Sequence, residues 1–319
     1  MSKINQLLKN CILEIILVVL CAILAFSAEG FFTVNNFLNV LRNISMQGVI
    51  AFGMTMVIIC GEIDLSVGSA VAFGGCLAAW TVKFLSGYVP MPAAVTGAIL
   101  FTLMVGSAVG SVTGLLRVKL KVPTFITTLA WMTVLTGAAE LITHGFQMTP
   151  FPEWYNFIGG GYILAIPFPA IIFLGVFAIT HFIMKYTSFG RSIYAVGGNS
   201  EAARLSGINV EKIKICVMAI VAFLAALSGI MQSAQIMSGT ATTAKGWELD
   251  VISAVIIGGT SFLGGSGTIK GTLVGMIFLG VVVNGMTLLN INEYWQHVVR
   301  GGLILAAVMI NRLQARQQA

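Results

Sequence analysis

The stretch "IKICVMAIVAFLAALSGIMQSAQI" at residues 213–236 decides the class of fold. Its only charged residue is Lys214, near its start. About 20 mostly apolar residues in a helix cross a hydrocarbon core about 30 Å thick. The rest of the chain has the same character, since 57% of its 319 residues are hydrophobic and 9% are charged, whereas soluble domains carry about 25% charged residues. We therefore predict an all-α, polytopic transmembrane helical bundle in a lipid bilayer and exclude a soluble globular domain.

Apolar runs of similar length recur along the whole chain, which we interpret as one transmembrane domain over residues 1–319. The first run is longer than the apolar part of a usual signal peptide and lacks a small-residue cleavage site before Glu29, so we expect it to be retained. About ten spans are predicted, at residues 11–28, 44–61, 65–83, 92–116, 122–143, 163–184, 213–236, 249–263, 271–289 and 295–311.

The distribution of basic residues gives the spans an orientation. Of the 17 Lys and Arg residues, thirteen lie on the same side of this topology as the two termini. The other four lie on the opposite side: Arg42, Lys83, Lys245 and Arg300. Cytoplasmic loops of membrane proteins carry the excess of Lys and Arg. We therefore expect both termini in the cytoplasm. The same bias explains the net charge of +6 without a nucleic-acid partner.

Three polar or glycine-rich patches interrupt the apolar pattern. They are "CGEIDLSVGS" at 60–69, "AVGGNSEAARLSGINVEKIKI" at 195–215 and "GGTSFLGGSGTIKG" at 258–271. The first and third are Gly-interrupted joins between hydrophobic segments, one in each half of the chain. Paired interruptions of this kind indicate discontinuous helices and a transporter built from repeats.

The second patch lies in the longest predicted cytoplasmic connection, about residues 185–212. Asn199 or Ser200 can cap a short helix there, and Gly207 can end it in a left-handed conformation. Glu201 and Arg204 are three residues apart and so share one helical face. Such a short helix forms only if something packs on it. Either a partner protein docks on this segment, or it is a solvated loop.

Motifs for catalysis and nucleotide binding are missing from the sequence. In "GGSGTIKGT" at 264–272, Lys270 is followed by Gly271 instead of Ser or Thr, and the glycine spacing does not fit a phosphate-binding loop. The three histidines have no metal-ligand spacing, and no nucleophile motif occurs. We therefore expect neither an enzyme nor a chain with its own cofactor or metal.

Candidate residues of a transport path are few. Asp64 precedes an apolar run, with Ser66 two residues on, so it either caps the third span or lines the path. Aromatic residues near the span ends, Trp247 among them, are interpreted as interfacial anchors. The neutral hydrogen-bonding candidates are Gln47, Thr55, Gln232, Gln235 and Asn284. Of all these, the predicted path residues are Asp64, Ser66, Gln47 and Asn284.

Three segments together resemble a known family. "GEIDLSVGS" at 61–69, "YAVGGNSEAARLSGINVEKIKI" at 194–215 and "ELDVISAVIIGGTSFLGGSGTIKGTLVG" at 248–275 are similar to the membrane-spanning permeases of ribose-type bacterial ABC sugar importers. The resemblance runs over nearly the whole chain. It implies inward transport of a neutral pentose or hexose across the bacterial cytoplasmic (inner) membrane.

The resemblance also implies partners. These are an ABC ATPase subunit that binds ATP and Mg, a periplasmic sugar-binding protein, and a second copy of the permease or a sister permease. The segment 198–207 would be the coupling helix that docks on the ATPase. Its predicted contact residues are Gly198, Asn199, Ser200, Glu201, Ala202, Arg204, Leu205 and Gly207.

One residue departs from the family pattern. Glu62 stands where the family usually has Gly or another small residue. Beside Asp64, one of the two carboxyls would have its pKa raised by burial and like-charge repulsion, or Glu62 would face water. The pair also supports the alternative function, an ion-coupled secondary transporter of a small polar solute, which would need a titratable site in the membrane.

Overall fold

The computed structural model describes residues 12–318, and of residues 297, 304, 307, 308 and 310–318 it describes only the backbone. The predicted first span begins at Cys11, which lies outside the described residues. The helices are α1 Ile12–Ser27, α2 Val34–Ile59, α3 Val67–Leu85, α4 Met91–Lys119, α5 Thr124–Thr143, α6 Asn156–Gly160, α7 Phe168–Tyr186, α8 Ser188–Gly198, α9 Ser200–Leu205, α10 Val210–Ile236, α11 Trp247–Ile257, α12 Ile269–Leu288 and α13 Glu293–Gln318.

Within residues 12–318, seven helices are long and apolar enough to cross a membrane: α2, α3, α4, α5, α7, α10 and α12. The rest of this region is helical or irregular, apart from a small antiparallel pair of strands, β1 Tyr162–Ile163 and β2 Ile166–Pro167. The prediction of a polytopic helical membrane protein is confirmed. The count of ten spans stays a prediction.

The eighth predicted span, residues 249–263, is a shorter helix in the structure, α11, which ends at Ile257. Helix α11 has 11 residues and is therefore about 16 Å long, about half of a hydrocarbon core about 30 Å thick. Gly258 ends it, and Gly259 then adopts a left-handed φ of +87°, a conformation that glycine adopts at little cost. Residues 258–268 return as a loop to the start of α12. A half-length helix followed by a glycine loop is the discontinuity that the sequence predicted here.

Helix α2 lies at the centre of the bundle. Its residues from Ile44 to Ile59 are buried almost without interruption, and it packs against α7, α10, α11 and α12. Glycines let the neighbouring helices approach closely: a Cβ added to Gly75 of α3 would lie 3.2 Å from the carbonyl oxygen of Gly229 in α10. Small residues at helix contacts replace the hydrophobic driving force that is missing between helices in lipid.

Candidate functional site

The three patches that interrupt the apolar pattern meet at one end of the bundle, here called the α9 end. The Gly265 N–H donates to the Ile59 carbonyl oxygen at 2.8 Å, and the Tyr194 hydroxyl donates to the Gly267 carbonyl oxygen at 2.9 Å. Gly197 lies so close to Ile59 that a Cβ there would overlap its carbonyl oxygen. A Cβ added to Gly264 would lie 3.2 Å from Gly61, so the glycines of all three patches form one structural unit.

Helix α9 forms in the second patch because both of its ends are capped. The Asn199 side chain accepts from the N–H groups of Glu201 at 3.1 Å and Ala202 at 3.0 Å. Asn199 is therefore the N-cap, and Ser200 is the first helical residue. Gly207 ends the turn with a left-handed φ of +83°. Both predicted signals are confirmed.

One side of α9 is buried and the other is exposed. Ala203 is buried in the core, and the Ile208 N–H donates to its carbonyl oxygen at 3.0 Å. Arg204 and Glu201 form an exposed ion pair at 3.0 Å, and Leu205 is 81% exposed. All the predicted contact residues in 198–207 are exposed. The segment thus presents two charges and one large apolar side chain away from the bundle.

Glu62 lies at the same end and does not face water, so that expectation was wrong. Of the two neighbouring carboxyls, it is Asp64 and not Glu62 whose pKa is raised by burial. Its carboxylate is buried and accepts from Arg117 Nε at 2.8 Å. It also accepts from Lys214 Nζ and the Thr124 hydroxyl. Burial acts to raise the pKa of Glu62, but these donors outweigh it and the pKa is lowered. Glu62 thus joins the starts of α5 and α10 to the end of α4.

Asp64 is buried and hydrogen-bonded to Ser66. Its Oδ1 accepts from the Ser66 N–H at 2.8 Å and the Ser66 hydroxyl at 2.6 Å. Burial raises the pKa of Asp64, and the bonds from Ser66 partly offset that rise. Ser66 is the N-cap residue of α3, so Asp64 stabilises the turn before the helix instead of capping its free N–H groups. Both residues line a cavity of about 20 Å³, the size of about one water molecule.

Gln47 and Asn284 line a different and larger cavity, here called the central cavity. Its volume is about 340 Å³, and α2, α10, α11, α12 and α13 form its walls. The four predicted path residues are therefore not brought together. Both polar and apolar residues line the cavity: Val40, Asn43, Ile44, Met46, Gln47, Gln232, Gln235, Trp247, Asp250, Leu279, Gly280, Val283, Asn284, Thr287 and Arg300.

Four of the five neutral candidates from the sequence line the central cavity. The exception is Thr55, which is buried and bonds to the Ala51 carbonyl oxygen at 2.7 Å and the Thr272 hydroxyl at 2.6 Å. Trp247, which was predicted to be an interfacial anchor, is half-buried and lines the cavity. It stands at the first position of α11.

An ion pair in the cavity wall was not predicted. Arg300 NH1 donates to Asp250 Oδ2 at 2.9 Å, and Gln47 Nε2 donates to the same oxygen at 3.3 Å. Asp250 is buried. Beside this network, Asn284 and Asn36 exchange hydrogen bonds at 2.7 and 3.0 Å. Both pairs fix polar side chains on separate helices at the cavity wall.

Known proteins match this chain along most of its length. The sequence profile of a family described as the permease component of the branched-chain amino acid transport system matches residues 36–308. The ribose import permease protein RbsC of Haemophilus influenzae is 41% identical over 300 residues, covering 92% of this chain and 90% of that protein. RbsC of Escherichia coli strain K12 is 42% identical over 302 residues, covering 93% and 92%. The L-arabinose ABC transporter permease protein AraH of Azospirillum brasilense is 35% identical over 313 residues, covering 98% and 90%. No solved structure matches the chain at a significant level.

Proposed function

Because this chain belongs to the family of transport-system permease components matched above, we propose that it is the membrane-spanning permease of an ABC importer for a ribose-like monosaccharide. The relatives are transport components and not enzymes. The ATP and Mg would be bound by a separate ATPase subunit. A periplasmic binding protein would deliver the sugar, and a second permease copy or a sister permease would complete the path.

Helix α9 is the observation that carries this proposal. A chain without a nucleotide-binding motif holds, at the end of an apolar bundle, a capped helix whose outer side is charged and exposed. A partner protein that binds this side would meet Glu201, Arg204 and Leu205. The excess of basic residues on this side supports an orientation with the α9 end in the cytoplasm, where an ATPase subunit would lie. In this orientation both termini would lie inside the cell and the central cavity would lie in the outer half of the bundle.

The joint between α9 and α10 would transmit movement into the membrane. Only residues 206–209 separate the two helices, and the Asn209 side chain caps α10 by accepting from the Lys212 N–H at 2.9 Å. A displacement of α9 therefore pulls directly on the first turn of α10. Lys214, at the start of the next turn, contacts the buried Glu62. Closure of the ATPases on ATP would thus change how α10 packs on α2, α3 and α4.

The ion-coupled alternative receives less support. It needs a titratable group that a solute and an ion can reach together. Asp64 lines a cavity of about 20 Å³, and Glu62 is occupied by Arg117, Lys214 and Thr124. Neither carboxyl lines the central cavity, and the carboxylate that does line it, Asp250, is held in an ion pair with Arg300 at 2.9 Å. We therefore favour coupling to a partner ATPase.

Exchange of the two α9 charges tests this proposal. The double variant Glu201→Arg with Arg204→Glu keeps the ion pair and the net charge but reverses the charges that a partner meets. We expect the assembled transporter to lose the ATPase subunit, or to hydrolyse ATP without moving sugar. The matched control is the exchange Lys119→Glu with Glu211→Lys, at another exposed pair with a 3.6 Å separation, which should transport normally. Normal uptake by the α9 variant would contradict the docking role.

A further inference from the structure

The central cavity has the size and the side chains of a small-molecule site. Its volume of about 340 Å³ lies at the lower end of the range of about 300–1,000 Å³ found for ligand pockets. Its wall comes from five different helices, so a rearrangement of the bundle would change its shape. Most ligand pockets are apolar with a few placed polar groups. Here the polar groups are mainly amides.

The electrostatics of the wall favour an uncharged ligand. Among the described residues that line the cavity, the charged side chains are Asp250 and Arg300, and they neutralise each other at 2.9 Å. A phosphate would need a counter-charge, and taking Arg300 from Asp250 to provide one would leave the Asp250 carboxylate buried and uncompensated. A zwitterionic amino acid would have to separate the pair so that each of its charges found a partner. A neutral polar molecule needs no counter-charge and leaves the Asp250–Arg300 pair intact.

The amides offer hydrogen bonds that the protein itself does not use. Gln232 and Gln235 are three residues apart on the last turns of α10, and Asn43 faces the same cavity from α2. Within residues 12–318, the structure shows no hydrogen bond from these three side chains. Each amide both donates and accepts, as each sugar hydroxyl does. Trp247 adds an aromatic wall suited to the apolar face of a sugar ring.

We propose that the central cavity binds a neutral monosaccharide, with Gln232, Gln235 and Asn43 bonding its hydroxyls and Trp247 covering its ring. The Asp250–Arg300 pair positions this wall and keeps it neutral overall. The proposal rests on the import function and adds the place in the permease where the sugar binds and the residues that contact it. It argues against a branched-chain amino acid, since the cavity lacks a free pair of opposite charges among its described lining residues.

A cysteine protection experiment tests ligand binding directly. Gln235→Cys in a chain without other cysteines, held in membrane vesicles, is labelled with a small maleimide in the presence of D-ribose or L-leucine. We expect 100 mM D-ribose to slow labelling at least threefold and L-leucine to leave it unchanged. Protection by L-leucine would overturn the ligand class. Equal labelling under all conditions would overturn the site.

Uptake by the assembled transporter supplies the second readout. Gln232→Leu with Gln235→Leu should lower D-ribose uptake at least tenfold while the binding protein still stimulates ATP hydrolysis. The control Gln147→Leu lies in an exposed loop away from the central cavity and should transport like the wild type. If the wild-type complex takes up no sugar, the proposed function fails. If the wild-type complex takes up sugar and the double variant takes it up equally fast, only the cavity proposal fails.

Discussion

Replacement of Glu62 by Gln should destabilise the bundle at the α9 end. In the native structure one buried carboxylate accepts from Arg117, Lys214 and Thr124. Gln is nearly the same size as Glu, so the substitution removes the charge and little else. It leaves two cationic side chains next to each other at a site where the Lys214 side chain is 14% and the Arg117 side chain 31% exposed.

The size of the effect follows from this burial. Breaking a buried ion pair by removing one partner costs about 3–5 kcal/mol. Because Arg117 keeps some contact with solvent, we expect the lower end, a loss of about 3 kcal/mol in the free energy of unfolding at neutral pH. Reversible denaturation of the purified protein in detergent micelles measures it. Glu211→Gln, at the exposed pair with Lys119, is the matched control and should cost less than about 1 kcal/mol.

The stability difference between the wild type and Glu62→Gln should also depend on pH in a definite direction. The folded pKa of Glu62 is lowered, so its ionised form stabilises the fold above the carboxyl's ordinary pKa. That stabilisation is lost as the pH falls through the folded pKa. Wild type and Glu62→Gln should therefore differ most near neutral pH and converge in acid. Equal stability of the two proteins at pH 7, or a gap that widens in acid, would refute the reasoning.

Three smaller effects are expected from the local geometry. Asp64→Asn should change the thermal stability by less than about 1 kcal/mol, because an amide oxygen can accept from Ser66 in the same way; a large loss would show that the charge itself is needed. Gly197→Ala should lower the melting temperature, since its Cβ would overlap the Ile59 carbonyl oxygen, whereas Gly198→Ala meets no atom within 4 Å and should melt like the wild type. Asn199→Ala removes the α9 cap at a cost of about 1 kcal/mol, which should raise hydrogen exchange in α9 and weaken co-purification with the ATPase; unchanged exchange would contradict the capping role.

The sequence predicted correctly those parts of the fold that are determined by residues close together in the chain. The N-cap at Asn199 and the left-handed Gly207 lie within a few residues of the helix they bound. The long apolar runs likewise give most spanning helices directly, because each run reaches membrane thickness by itself. The break after α11 was visible as glycines, but the apolar residues that follow made the helix look longer than it is.

The parts that sequence missed depend on residues far apart in the chain. Glu62 meets Arg117 and Lys214, which are 55 and 152 positions away, so its environment could not be derived from its neighbours. Asp250 and Arg300 are 50 positions apart and on separate helices. Their pairing depends on how α11 and α13 pack, which no periodicity reports. The neutral hydrogen-bonding candidates were predicted more successfully. Polar side chains in apolar spans are few, and four of the five candidates line the central cavity.

ATP-driven uptake into proteoliposomes tests the proposed importer most directly. The permease is reconstituted with its ATPase subunit, ATP is supplied on the side of the α9 end, and the binding protein with labelled D-ribose is supplied on the other side. We predict sugar accumulation that requires ATP hydrolysis and that disappears when the two α9 charges are exchanged. Accumulation driven by a proton gradient without ATP, or undiminished by the exchange on α9, would contradict an importer coupled through this helix.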